Sequence, residues 1–402
     1  MSIKVYSEIG KLKKVVLHRP GKEVENIIPE TFEELLFDDS MFLEIAQKEH
    51  DEFAKALKKL GVEVYYIEQL AADAISTSDS ARKEFIEEFS KNANKEKTEQ
   101  TKIIEFLSSI KNNKELIDKC ISGIRYKEVG IDESKKGVHV FISNPLPNVL
   151  FTRDNWASIG NGITLNKMYT ETRNRETIFG KYVFKYHPDY KETPKIFDRE
   201  DYLKSKKNIH IEGGDELVLS EKALAIGISL RTSREAVIEV AKTLFNSDSK
   251  FEEVYGFHIP VGRSWMHLDT VFTQIDKDKF TVYSNKPIEV EKFTSDGKGG
   301  VKTEKLTQEL SKILEGITGV PVKLIQCGNG DPIDGNREQW NDGSNSLAVA
   351  PNHIVAYNRN HVTIKLLKEA GVKVTIVPSS ELSRGRGGPR CMSMPLEREI
   401  LK

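Results

Sequence analysis

Internal repetition constrains this 402-residue chain more than any other feature. Three segments run from an amphipathic helix through a glycine into Val-x-Val: 53–67 (FAKALKKLGVEVYYI), 312–325 (KILEGITGVPVKLI) and 365–377 (KLLKEAGVKVTIV). A helix often ends on a residue with left-handed backbone, and Gly61, Gly319 and Gly371 stand where it is needed. A second theme occurs four times, as 151–165 (FTRDNWASIGNGITL), 211–227 (IEGGDELVLSEKALAIG), 267–283 (HLDTVFTQIDKDKFTVY) and 343–357 (GSNSLAVAPNHIVAY). Apolar residues alternate around GNG, SEK, DKDK and PNH tips, which predicts four β-hairpins.

Each predicted hairpin opens on polar residues: Asp154, Glu212, Asp269, and the pair Ser344 and Asn345. The first three follow one another at nearly equal intervals, as expected of one unit reused. If equivalent hairpin starts face one end of a ring of units, side chains far apart in sequence share a central pocket. The chain therefore reads as an α/β protein built from repeated helix, strand and hairpin units.

One stretch departs from the pattern. From about Ala71 to Ser134 the chain is rich in Lys, Glu, Ser and Asn, with apolar residues at helical spacing such as Phe85, Ile86 and Phe89, then Ile103, Ile104, Leu107 and Ile110. This predicts an inserted helical subdomain of three or four helices, residues 71–137, between the two parts of a catalytic α/β region, 1–70 and 138–402. Its charged face is expected to be solvated rather than reactive.

Charge excludes several classes of function. With 60 Lys and Arg against 61 Asp and Glu there is no net field to draw the chain onto nucleic acid or an anionic membrane, so a charged ligand must be met locally. No stretch reaches the ~18–20 apolar residues of a membrane span, and the start lacks the apolar core of a signal peptide. Cys120, Cys327 and Cys391 lie far apart and form no metal-type pair, and no HExxH spacing occurs. A cytoplasmic protein without disulfide or metal is expected, with no nucleic-acid or membrane partner.

Cys391 is the candidate nucleophile. It lies in 383–395 (SRGRGGPRCMSMP), a Gly- and Pro-punctuated loop where Arg384, Arg386 and Arg390 are expected to favour a thiolate. Cys327 and Cys120 read as small packing residues. His267 in WMHLD is the candidate acid/base, with Asp269 expected on the same face of a strand. Glu212 and Asp215 flank two glycines in EGGD, where a turn with solvated acids is the alternative to a functional site. Carboxylates from Asp154, Glu212 and Asp269 in one cavity call for a cation, and a planar guanidinium matches them two oxygens at a time. Arg173 and Arg231, beside predicted hairpins, could meet a carboxylate on the same ligand, or could be surface cations.

FTRD, EGGD, WMHLD and RGRGGPRC, in this order, together with LHRPG (17–21) and LLFDD (35–39), resemble arginine deiminase, of the guanidino-group modifying superfamily. The resemblance spans nearly the whole chain. It implies a five-fold pseudosymmetric α/β propeller, hydrolysis of L-arginine to L-citrulline and ammonia without a cofactor, and a homodimer or higher homo-oligomer. It further implies that Cys391 attacks the guanidinium carbon to give a thiouronium adduct, and that His267 protonates the leaving ammonia and then activates water. Glu212 would orient His267, while Asp154 and Asp269 grip the guanidinium. Arg173 and Arg231 would hold the substrate carboxylate, with Asn148 and Phe151 along the substrate and Arg386 on a mobile loop. Three other readings remain open at this point: the same fold acting on agmatine, a methylated arginine or an amidino acceptor; a binding protein that holds arginine unchanged; and a cysteine peptidase, which leaves three pocket carboxylates unexplained.

Overall fold

The structure, a computed structural model, describes residues 2–203, 208–262, 265–283 and 288–401. Five of its sheets share one core pattern, an antiparallel strand pair whose second strand continues through a helix into a third, parallel strand. Trp156–Ile159 and Gly162–Leu165 pair in this way with Lys195–Asp198, and Glu216–Val218 and Ala223–Ile228 pair with Glu253–His258. Phe272–Asp276 and Lys279–Val282 pair with Lys323–Gln326, and Leu347–Ala350 and His353–Tyr357 with Lys373–Val377. All four hairpins read from the sequence are therefore present. The second of these sheets is extended by Val290–Ser295 and Val301–Leu306, which add antiparallel strands at its edge.

The fifth sheet has no hairpin turn to read. Its antiparallel pair joins Met394–Arg398 to Leu12–Leu17, the two ends of the chain, and Leu12–Leu17 continues through the helix Leu43–Lys59 into Glu63–Tyr66. Hairpins are recognised by a short turn between partners, so a pair separated by almost the whole chain leaves no local mark.

The helix-to-strand joints also differ in legibility. Gly61, Gly319 and Gly371 take φ values of 81°, 72° and 79°, as expected where a helix ends in left-handed backbone. The equivalent helices Glu176–Tyr186 and Arg234–Phe245 end on His187 and Asn246 with negative φ, so those two units carry no glycine signal.

Four helices, Ile67–Ile75, Asp79–Lys91, Lys97–Ser109 and Asn113–Ser122, fill the segment of helical periodicity. Side-chain oxygens of Ser78 and Asn112 cap the second and fourth by accepting backbone N–H bonds. Their apolar faces do not form a core of their own: Phe85, Phe89, Ile103, Leu107 and Leu116 belong to one buried cluster with Trp156, Phe179 and Tyr182. Phe85 meets the edge of Tyr182 at 5.2 Å between ring centres. Cys120 is buried in this cluster. The LHRPG segment is tied to the same region, since His18 sits between Glu23 and Glu68 at 3.1 and 3.0 Å. Burial opposes the charge of His18, but Glu68 and Glu23 outweigh it and push its pKa up to about 10.

Candidate active site

Each of the five sheets is entered through a turn, and the site is assembled from those turns. Asp154 precedes the strand Trp156–Ile159, Glu212 precedes the short helical turn Gly213–Asp215, and Asp269 lies in the helical turn Leu268–Val271. Asn345 stands just before Leu347–Ala350, and Cys391 just before Met394–Arg398. The strand argument for His267 and Asp269 is corrected here: His267 caps the helical turn and the strand begins only at Phe272. The two side chains meet the site because of the turn, not because of strand alternation.

The glycines of EGGD explain how the turns come so close. A Cβ on Gly213 would fall 2.1 Å from the carbonyl oxygen of Arg153, and one on Gly214 would fall 2.6 Å from His267 Nδ1. Asp215, for which the sequence leaves a solvated turn acid as one of two open readings, is fully buried and accepts bonds from Leu268 N–H and Ser229 Oγ, both at 2.8 Å. It thereby anchors the turn that presents His267. Burial pushes Asp215 up to about 6, against the pull of His267 and its hydrogen bonds.

One half of the site surrounds His267. Its Nε2 lies 2.8 Å from Glu212 Oε2, and its Nδ1 lies 3.9 Å from Asp154 Oδ1. Burial disfavours the imidazolium, but Asp154, Glu212 and Asp215 more than compensate and push His267 up to about 9. Glu212 moves the other way, held below the usual carboxylate range despite burial by Arg231, His267 and Arg173. Arg173 donates to Asp154 Oδ2 at 2.9 Å and to Glu212 Oε2 at 3.4 Å, and it also forms a forked pair with Glu176. Arg231 reaches Glu212 only at 3.4 and 3.5 Å.

The other half surrounds Cys391. Its Sγ faces Asp269 Oδ2 at 3.6 Å, and its N–H donates to Asn345 Oδ1 at 3.1 Å. Asn345 Nδ2 donates in turn to the carbonyl of Asp269 at 3.2 Å, so one amide fixes the nucleophile to the carboxylate turn. Arg390 donates to the same Asp269 Oδ2 at 2.8 Å, to Glu8 at 3.0 Å and to the carbonyl of Glu216 at 2.9 Å. Asp269 Oδ1 is buried without a hydrogen-bond partner.

The expectation that nearby arginines make Cys391 a thiolate is corrected. Arg384 is paired with Asp39, Arg386 with Asp38 and Arg390 with Glu8 and Asp269. Burial holds the thiol well above its usual pKa, and Asp269, Asp154 and Asp342 add to this while Arg390 only partly offsets it. Cys327 is also a buried thiol, pushed up to about 12 by burial, with Thr363 Oγ1 at 3.5 Å.

Asn148, Phe151, Asp154, Arg173, Arg231, His267, Arg386 and Cys391 all line one cavity of about 40 Å³, with Glu212 and Asp269 buried directly behind it. Arg386 closes the cavity from the loop side. It has a left-handed backbone at φ 61°, its Nη1 is 3.2 Å from Asp38, and its guanidinium stacks 3.4 Å above the ring of Trp340. Asn148 Nδ2 donates to the carbonyl of Leu35 at 2.7 Å, so LLFDD forms part of the same wall. A wider vestibule of about 850 Å³ shares Leu36, Asp38, Arg231 and Met266 with the small cavity and is walled by Phe32, Phe37, Trp265 and Trp340.

Asp154, Glu212 and His267 bring possible ligand atoms within 4.8 Å of one another. The chemistry there is already that of a cation site: Arg173 supplies the positive charge shared by Asp154 and Glu212. Sequence reading missed Asn345 as a link, Arg390 as a fixed counter-charge, Glu176, Asp38 and Trp340. Asn345 carried a signal, since it opens the fourth hairpin at the position equivalent to the acids. Arg390, Asp38 and Trp340 act through contacts between units and have no local mark, whereas Glu176 pairs with Arg173 three residues away.

Comparison with known proteins gives one consistent picture. A family model described as arginine deiminase matches residues 33–398. An arginine deiminase of Clostridium perfringens is 48% identical, covering 100% of this chain and 99% of that protein. One of Treponema denticola is also 48% identical, with the same coverage. Among solved structures, an amidinotransferase of Microseira wollei from a saxitoxin biosynthetic pathway superposes with a TM-score of 0.55 at 15% identity, covering 99% of this chain and 98% of that one. A dimethylarginine dimethylaminohydrolase adduct with S-methyl-L-thiocitrulline gives a TM-score of 0.51 at 12% identity, covering 96% of this chain and 99% of that one. At those identities the likeness is one of mixed α/β fold.

Proposed function

Because this chain belongs to the arginine deiminase family, we infer that its site hydrolyses L-arginine to L-citrulline and ammonia through a covalent adduct on Cys391. The observation that carries the reading is the convergence of a buried thiol, a histidine bonded to Glu212 and the Asp154 carboxylate on one cavity, with Asp269 behind the thiol. Burial first, and then the negative field of Asp269, Asp154 and Asp342, hold the thiol well above its usual pKa. A guanidinium between Asp154 and Asp269 offsets that field, so the thiolate forms where and when its substrate is bound. Asp269 Oδ1, buried and without a partner, supplies an acceptor for a guanidinium N–H.

Sulfur attack on the guanidinium carbon gives a tetrahedral adduct. His267, charged up to about pH 9, donates a proton to the departing nitrogen, leaving a thiouronium. The neutral imidazole then takes a proton from the water that attacks the same carbon, and collapse breaks the carbon–sulfur bond to release citrulline. Glu212 holds the ring by its Nε2 throughout. Of the two arginines expected on the substrate carboxylate, Arg231 is the better placed, since its contacts to Glu212 are long and it also faces the vestibule. Arg386 is among the residues that wall the cavity an amino acid must enter.

We further infer that the five equivalent sheets form a five-fold pseudosymmetric propeller closed by the chain ends, with residues 71–137 as a helical insertion. Their shared strand pattern and the approach of five turns to one site support this. A cytoplasmic location rests on its three unpaired cysteines as well as the family resemblance, and a homodimer or higher homo-oligomer on the resemblance alone.

The test is a citrulline and ammonia assay of the purified protein with L-arginine, agmatine and dimethylarginine in parallel. Turnover of arginine far above that of the other two is expected. Activity confined to another guanidine would discard the substrate and keep the nucleophile, and peptide cleavage or binding without ammonia release would discard the reaction.

A further inference from the structure

We propose that Arg390 is a positioning residue for the reaction: sealed in the wall and out of reach of substrate, it fixes Asp269 and, through Asp269, the sulfur of Cys391. The proposal rests on Cys391 being the nucleophile of the reading above.

Arg390 is 1% exposed and does not line the cavity. Its three contacts each use a different nitrogen: Nη1 to Asp269 Oδ2, Nε to Glu8 Oε2, and Nη2 to the carbonyl of Glu216. A guanidinium can satisfy all three at once because its donors form a rigid fork, whereas a lysine ammonium cannot match that geometry. Asp269 Oδ2 is thus shared by Arg390 and the thiol, while Oδ1 is buried without a partner. Arg390 also adjoins Cys391 in the same turn, so the nucleophile and the cation holding the carboxylate it faces move as one piece. Arg153 N–H donates to the Cys391 carbonyl at 3.1 Å, and Arg153 Nε donates to the Arg390 carbonyl at 3.2 Å, which stiffens that turn from behind.

The charged groups around this contact define the direction of its effect. Arg390 is faced by Glu8 from the N-terminal segment and by Asp269, with Arg153 and Arg398 as further cations. The Glu216 carboxyl is pushed up to about 8 by burial, so it adds little negative charge at neutral pH. Cys391 is faced by Asp269, Asp154 and Asp342, with the Tyr357 hydroxyl near by. Against those three acids Arg390 is the cation that favours the thiolate, and Glu8 competes for it.

The experiment follows alkylation of Cys391 by iodoacetamide against pH, read by peptide mass spectrometry without arginine present, alongside kcat and KM for arginine. Arg390→Met is expected to move the alkylation profile to higher pH by about one unit, and to lower kcat about 100-fold with KM changed by less than about fivefold. Arg390→Lys keeps the charge and is expected to recover part of kcat. Glu8→Gln removes the competing carboxylate and is expected to move the profile to lower pH, the opposite direction. An unchanged profile in Arg390→Met, with kcat reduced only in proportion to folded protein, overturns the proposal. If Arg390→Met does not fold, an unchanged profile in Glu8→Gln together with undiminished kcat in Arg390→Lys overturns it. Profiles that move as expected in a protein that fails to turn over arginine uphold the positioning role and sink the substrate assignment instead.

Discussion

Arg173 and Arg390 are both buried guanidiniums, and each holds one of the two carboxylates assigned to the substrate, yet they stand in different places. Arg173 lines the cavity and divides its charge among Asp154, Glu176 and Glu212. Arg390 is shut into the wall and divides its charge between Asp269 and Glu8. Identical chemistry thus serves two ends: one arginine neutralises acids on the face that substrate reaches, and the other fixes an acid behind the nucleophile. Which side of the wall an arginine occupies decides its role more than which acid it touches.

The largest expected effect comes from the residue between these two halves. Cys391→Ala is expected to cut citrulline formation by at least about 10⁴-fold, because no other described thiol faces the cavity, while thermal melting shows a folded protein. Normal citrulline production by that variant would remove the nucleophile and with it the division drawn here.

Arg173→Ala tests the cavity-facing half. It strips a shared cation from three buried acids, and breaking a buried pair on one side costs about 3–5 kcal/mol. Glu176, already pushed up to about 7 by burial against the pull of Arg173, will take up a proton and soften that cost. Urea unfolding at pH 7.5 should therefore show a large loss that shrinks toward pH 5.5. A loss independent of pH would mean that Arg173 acts by packing alone.

These contrasts also show how far the sequence could be read. Four hairpins and three glycine-ended helices were legible because their signals are local, a turn between two strands or one residue with unusual backbone. The fifth sheet was invisible because its partners are the chain ends. The candidate site residues were legible as residue types at hairpin starts, and Cys391 as a loop cysteine among arginines. The thiolate inference failed because each of those arginines already has an acid: Asp39, Asp38, Glu8 and Asp269 lie far away in sequence. Burial was the other missing quantity, since it converts Asp215 from a turn acid into the anchor of the His267 turn.

Glu212→Gln sharpens the role of the cavity-facing half. His267 stands above its ordinary 6.5, at about 9, so the stability its charge brings is complete below 6.5 and lost as pH rises through 9. Replacing Glu212 removes a hydrogen-bonded anion and lowers that upper value. The alkaline fall of single-turnover ammonia release should then move to lower pH by about one unit. A limb that stays in place would assign it to a group other than His267.

The smallest effect is expected at Arg231. Its contacts to Glu212 are 3.4 and 3.5 Å, and its side chain is 14% exposed, so it is less committed than the buried Arg173. A substrate carboxylate can therefore engage it without first breaking a tight pair. Arg231→Ala should raise KM for L-arginine about tenfold with kcat within about threefold, since the lost contact is the same in ground and transition states. Weak turnover of agmatine, which has no carboxylate, should not change. An equal loss on both substrates would show that Arg231 works through Glu212 and His267, as Arg173 does, rather than on the substrate.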